Sequence, residues 1–331
     1  MHDGRISHRD RINALKRNEK LNRIPIALWR HFPVDDQEPE LLAEAALKFQ
    51  EIYDFDLIKV TPASSFCLKD WGAEDRWEGN PEGTRRYTKQ VIEIPSDWEK
   101  LKLLDPKKGF LGQQLKCLEL LQDIRKTTPV IQTIFNPLSQ AKNLAGEERL
   151  LSHLRLFPEA VRHGLEIIAA STKVFIDAAV ETGIDGIFYA IQHARSGSLS
   201  KEEYASFGKG HDVDILRISE PLFFNILHLH GNSVYFDEIS NYPVSSINWH
   251  DRDTYPSLKE GYRKFGGILC GGLRRESISL GNNKLIKDEI EDAVIQLKGE
   301  RLIIGTGCVV PVIAPHGNLM AARNFVEEFQ A

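Results

Sequence analysis

The chain has 331 residues, 42% hydrophobic and 27% charged, the balance of a globular protein rather than of a disordered one. A net charge of −5 with no extended basic block excludes the broad phosphate-tracking surface of a nucleic-acid binder, and no run approaches the roughly 20 apolar residues of a membrane span. Cys67, Cys117, Cys270 and Cys308 are too few and too scattered to staple such a length, and "MHDGRISHRDRINALKRNEK" has no apolar signal core, so a reduced, cytoplasmic protein is expected.

Eight short β-branched runs are predicted as strands. In chain order they are "RIPIALW" (23–29), "FDLIKV" (55–60), "PVIQTIF" (129–135), "IDGIFYA" (184–190), "FFNILHL" (223–229), "SSINWH" (245–250), "GGILC" (266–270) and "RLIIGTG" (301–307). Between most of them lie segments with apolar spacing near 3.6, such as "EPELLAEAALKFQEIY" and "FPEAVRHGLEIIAASTKVFIDAAVETG", the second ending on Gly183 as a helix should. Strand–helix alternation repeated eight times predicts an α/β fold of one domain over residues 1–331, a (β/α)8 TIM barrel. A doubly wound open sheet is the alternative, but no GxGxxG follows the first strand. Between the second and third strands, "WEGNPEGTRRYTKQVIEIPSDW" predicts a β-hairpin and "FLGQQLKCLELLQDIRK" a helix.

In a barrel, chemistry sits at the C-terminal ends of the strands. The first strand ends in Trp29, Arg30 and His31, and the second in Lys59 and Thr61. The fourth offers Tyr189, Gln192 and His193; the fifth, His228 and His230; the sixth, Asn248 and His250; the eighth, Thr306 and Cys308. Residues i and i+2 of a strand share a face, so His228 and His230 point together while Leu227 and Leu229 take the other side. Two imidazoles at a mouth hold a metal ion if a third ligand joins them, and Cys308 is the best candidate; the alternative is two histidines that hydrogen-bond water or substrate. Arg30 is either a carboxylate clamp or the partner of Asp35 or Asp36. Lys59, at the end of an apolar strand, needs either a counterion or a job.

At these residues the chain resembles the uroporphyrinogen decarboxylase superfamily, which includes cobalamin-dependent methyltransferases and is related to cobalamin-independent methionine synthase. The resemblance covers nearly the whole chain, through "RIPIALWRHFP", "FDLIKVTP", "GIDGIFYAIQHA", "NILHLHGN", "SSINWH", "GGILCGGL" and "GTGCVVPVIAPHGNLMAA". It implies one (β/α)8 barrel. Authentic decarboxylases keep paired arginines after the first strand and an aspartate after the second; here Arg30 is followed by His31-Phe32-Pro33, and Lys59-Val60-Thr61-Pro62 replaces the aspartate segment. A tyrosine and a "GHG" histidine of the decarboxylases are likewise replaced, within "NPLSQAKNLAG" and around Thr306-Gly307.

The methyltransferase branch carries "HxCG" and a later Gly-Cys that together bind zinc. Here His228-Leu229-His230-Gly231 and Gly307-Cys308 stand in those places, with His230 where the branch has cysteine. The resemblance therefore implies a zinc-dependent, methyltransferase-like enzyme that activates a small thiol substrate for methyl transfer from a corrinoid or related donor, a corrinoid protein among the candidates. His228, His230 and Cys308 would hold the metal; Arg30, His31 and Lys59 would act in catalysis; Trp29, Tyr189, Gln192, His193, Asn248 and His250 would bind substrate. The alternatives are a metal-independent lyase that decarboxylates a carboxylated tetrapyrrole such as uroporphyrinogen, and a non-catalytic tetrapyrrole or corrinoid carrier. Such proteins are often homodimers.

Overall fold

In the computed structural model, which describes residues 6–329, the β-branched runs pair with their neighbours in chain order. The strands are β1 (Ile58–Val60), β2 (Glu74–Arg76), β3 (Arg86–Lys89), β4 (Val130–Phe135), β5 (Gly186–Ile191), β6 (Ile226–Leu229), β7 (Ser246–Trp249), β8 (Ile268–Leu273) and β9 (Leu302–Thr306). Seven of them form a curled parallel sheet ordered β1-β4-β5-β6-β7-β8-β9. Every residue of these seven strands is buried, as a parallel sheet requires when helices cover it.

The expected first strand, 23–29, does not join this ladder; it makes only an isolated bridge, Ile26 to Ile304. Pro25 has no N–H to give, and the Ile26 N–H donates at 2.8 Å to the Asp56 carboxylate instead of to a strand. Backbone bonds still tie the segment to both outer edges of the sheet. Ala27 N donates to Ile304 O at 2.9 Å on one side, and Asp56 N donates to Ile26 O at 2.8 Å on the other. The sheet thus has seven strands where eight were expected, with an irregular segment beside the place of the eighth.

Helices connect the strands where apolar spacing predicts them. The segment "EPELLAEAALKFQEIY" forms the helix Pro39–Tyr53, and Pro158–Glu181 is followed by Gly183 at φ +87°, a conformation that favours glycine. No described helix is long and apolar enough to cross a membrane. The interval after β1 departs in detail from expectation. Its antiparallel ribbon pairs Glu74–Arg76 with Arg86–Lys89, so the first strand lies ahead of the predicted hairpin, and residues 90–98 form no strand.

The ribbon's loop reaches the end of the sheet that carries the predicted site. Val312 N donates to Pro81 O at 2.7 Å, and Arg275 Nη1 pairs with Glu82 at 2.5 Å. Gly83 adopts φ +77°, and a Cβ there would lie 2.5 Å from the Cβ of His31. Only glycine allows the loop to pack this closely.

Candidate metal centre

The register of the central strands builds the site. Ala190, His228 and Asn248 lie side by side on β5, β6 and β7, and Cys270 of β8 is level with Asn248. Strand alternation turns His228 to the sheet's interior, where it is buried and stacked on Phe188 at a centroid distance of 5.3 Å. Asn248 orients it. The Asn248 Nδ2 donates to Cys270 O at 2.9 Å and Thr306 O at 3.0 Å, which leaves Oδ1 facing His228 Nδ1 at 2.7 Å. His228 must therefore carry its proton on Nδ1 and present a bare Nε2 to the cavity.

His230 follows β6 and is held by donation from its N–H to Ile191 O at 3.0 Å. Cys308 lies just past β9 in a loop fastened by Val310 N donating to Trp29 O at 2.8 Å. Gly307 permits the loop's approach, because a Cβ there would sit 2.6 Å from the Cα of His250. The potential ligand atoms of His228, His230 and Cys308 all lie within 4.8 Å of one another, and Cys308 Sγ is 3.7 Å from His230 Nδ1.

Burial raises the Cys308 thiol, but the imidazoles of His228, His230 and His250 around it more than offset burial and hold the thiol well below its ordinary value. Burial in turn depresses the His228 imidazole. A neutral His228 imidazole beside a thiolate is the pattern of protonation that a metal ion demands of such ligands. His250 is buried, its ring centroid is 5.7 Å from that of His230, and its Nε2 has no hydrogen-bond partner. A nitrogen–nitrogen–thiolate set, one ligand fixed from behind by an amide, and an unpartnered imidazole nitrogen nearby together fit a zinc ion.

Beside these ligands lies a cavity of about 310 Å³. Trp29, Phe135 and Phe188 supply its apolar wall. His31 and Lys59 also line it. Lys59 Nζ donates to Thr61 Oγ1 at 3.1 Å and lies 4.6 Å from the Phe188 centroid; burial pushes its ammonium down to about 7, against a counter-effect from Cys308. Burial, and next the charge of Lys59, push His31 down to about 4, and its Nδ1 has no partner.

The other predicted residues are distributed differently. Gln192 lines the cavity, whereas Asn248 acts from behind His228 and His250 lies beside Cys308. Tyr189 does not reach the cavity. It lies between the inward-facing Phe188 and Ala190, so its hydroxyl points outward and donates to Asp212 Oδ1 at 2.7 Å. Arg30 is also turned aside. Its guanidinium lies 5.3 Å from the Phe32 ring centroid and donates to Val312 O at 3.4 Å. His193 is buried with an unpartnered Nδ1 and does not line the cavity.

Several lining residues escaped a reading confined to strand ends: Glu82, Arg85 and Tyr87 from the ribbon, and Lys142 and Asn143 from the helix Pro137–Ala145. The helix start was readable. Asn136 caps it by accepting from Ser139 N, ahead of Pro137 at the first helical position, so its next turns begin at the strand ends.

Comparison with known proteins adds the following. The family model described as uroporphyrinogen decarboxylase (URO-D) matches residues 7–329. A solved methyltransferase from Methanosarcina mazei is similar in fold, with a TM-score of 0.86 at 17% identity, covering 98% of this chain and 99% of that one. A B12-independent methionine synthase from a Shewanella species gives a TM-score of 0.61 at 12% identity, covering 92% of this chain and 96% of that one. No curated protein sequence matches the chain.

Proposed function

The chain belongs to the uroporphyrinogen decarboxylase (URO-D) family, and from that membership we propose that it is a zinc-dependent enzyme that activates a small thiol for methyl transfer from a corrinoid or related donor. One observation carries this reading: His228, His230 and Cys308, far apart in sequence, bring two nitrogens and a sulfur within 4.8 Å of one another at the wall of a cavity. The fold is shared with a methyltransferase and a methionine synthase, which accords with it.

When bound, the zinc would act as a Lewis acid that lowers the pKa of a thiol substrate, so that its sulfur reacts as a thiolate. The chain's own residues do the rest. His228 and His230 would contribute two ring nitrogens where relatives of the methyltransferase branch pair one histidine with two cysteines, which would leave more positive charge on the ion. His31, neutral and with a free Nδ1, lines the cavity and would hydrogen-bond the substrate there. The aromatic wall of Trp29 and Phe188 excludes water from the sulfur, and Lys59 above Phe188 supplies positive charge to the interior. The decarboxylase alternative loses its carboxylate clamp, because Arg30 is directed away from the cavity.

The test is metal stoichiometry. Protein purified without metal and then titrated with zinc should take up one equivalent, and the His228→Ala and Cys308→Ala variants should take up none. A wild-type protein that binds no zinc overturns the reading.

A further inference from the structure

Arg30 turns away from the central cavity and lines a second one. An open groove of about 450 Å³ runs along the helix Pro39–Tyr53. The helix supplies Leu41, Ala45, Phe49 and Ile52 to it, and the segment after residues 23–29 supplies Arg30 and Phe32. Its volume lies in the range of small-molecule sites. Leu41 and Ile52 are 43% and 52% exposed, so the groove presents apolar surface to water.

The charges of the groove indicate what would fill it. Glu44 and Lys48 pair at 2.6 Å, and Asp35 adds its own field at Lys48. Arg30 joins no ion pair among the described residues. Its Nε is buried without a hydrogen-bond partner, and Nη1 makes only a long donation to Val312 O at 3.4 Å. The Phe32 and Phe49 ring centroids lie 5.3 and 5.8 Å from the guanidinium carbon, and they hold it in place without offering an oxygen. A half-buried guanidinium in that setting keeps donors for an incoming group, and its fork matches a carboxylate. Asp35 and Glu44, at the same groove, disfavour a multiply charged anion. We propose that the groove is an accessory site for a small monocarboxylate with an apolar body, its carboxylate on Arg30 and its hydrocarbon part along Leu41, Ala45 and Ile52. The site is separate from the metal centre and independent of thiol activation, since Arg30 does not line the central cavity.

The test is calorimetric titration of the full chain with 4-phenylbutyrate and its neutral isostere 4-phenylbutyramide. The acid should bind with one-to-one stoichiometry and at least about tenfold tighter than the amide, the scale of one charge-assisted hydrogen bond. Arg30→Gln should abolish that preference, and Arg30→Lys should keep part of it. Ala45→Trp should fill the groove and abolish binding of both compounds. Lys142→Gln, which removes a cation of the central cavity, should bind the acid as wild type does. Wild-type protein that binds neither compound, or binds both equally, overturns the proposal. Acid binding that survives Arg30→Gln or Ala45→Trp at wild-type affinity also overturns it, and loss in Lys142→Gln would place the anion in the central cavity instead. If Arg30→Gln does not fold, Arg30→Lys and Ala45→Trp decide by the same criteria.

Discussion

Asn248 supports the proposed metal centre from behind His228. Its amide gives both hydrogens to backbone carbonyls, one of them Thr306 O beside the Cys308 loop, and turns its oxygen to His228. Asn248→Ala removes the acceptor that fixes the His228 tautomer and takes one donor from each of two strand carbonyls, Cys270 O and Thr306 O. Zinc affinity should fall about 10- to 100-fold, the usual cost of losing such support, as measured by competition with a chromophoric chelator; unchanged affinity would show that His228 does not bind through Nε2. His230→Cys tests the other nitrogen. The cobalt-loaded variant should show markedly stronger thiolate-to-cobalt absorption than wild type, because two sulfurs replace one. Strand parity made the His228–His230 pair legible in "ILHLHG". The same parity, applied one strand earlier, would have sent Tyr189 outward, since Phe188 and Ala190 flank it and face the cavity.

At the scale of elements, buried charge does what backbone pairing does not. Segment 23–29 was read as a strand from its β-branched residues, but Pro25 and the side chain of a residue outside the segment decide otherwise. Asp56, fully buried, accepts from Arg11 Nη1 at 2.5 Å, Arg23 Nη1 at 2.6 Å and Ile26 N at 2.8 Å, and so holds the segment against the approach to β1. No hydrophobic period encodes such a carboxylate. Asp56→Asn leaves buried Arg11 without its counterion and Arg23 with only Glu327, at 3.0 Å, and should lower unfolding stability by about 3–5 kcal/mol in urea denaturation; a loss under about 1 kcal/mol would show that the substituted amide and Glu327 together suffice to hold the arginines. A second buried acid sets a pH dependence. Asp212 accepts from Tyr189, Tyr204 and Asn136 and meets no cation among the described residues, and burial pushes its carboxyl up to about 6. A pKa raised in the folded state means that the fold binds this proton more tightly than the unfolded chain. The associated stability is full below about pH 4 and is lost as pH rises through about 6. Asp212→Asn should remove that contribution. Its stability relative to wild type, followed by denaturant unfolding, should rise between pH 4 and 7; a flat difference would refute the assignment.

For the molecule as a whole, the site is assembled from two sources that differ in how readily a sequence reveals them. The candidate metal ligands lie on or just beyond the strands β6 and β9, where alternation and position along the chain locate them. The cavity beside those residues is completed by the ribbon loop and the helix Pro137–Ala145, whose contribution depends on how the excursion folds back over the strand ends. Local pattern marks the turn glycines but not what they pack against. Gly83 joins the two sources, since its positive φ and the His31 Cβ both exclude a side chain there. Gly83→Ala should therefore lift the loop from the mouth while leaving the ligands on β6 and β9 intact. Zinc should still bind with wild-type stoichiometry, hydrogen exchange across residues 77–85 should accelerate, and thiol binding to cobalt-loaded protein should weaken. Exchange and thiol affinity unchanged from wild type would mean that the ribbon tip is not needed to close the cavity, and that the strand ends alone define the site.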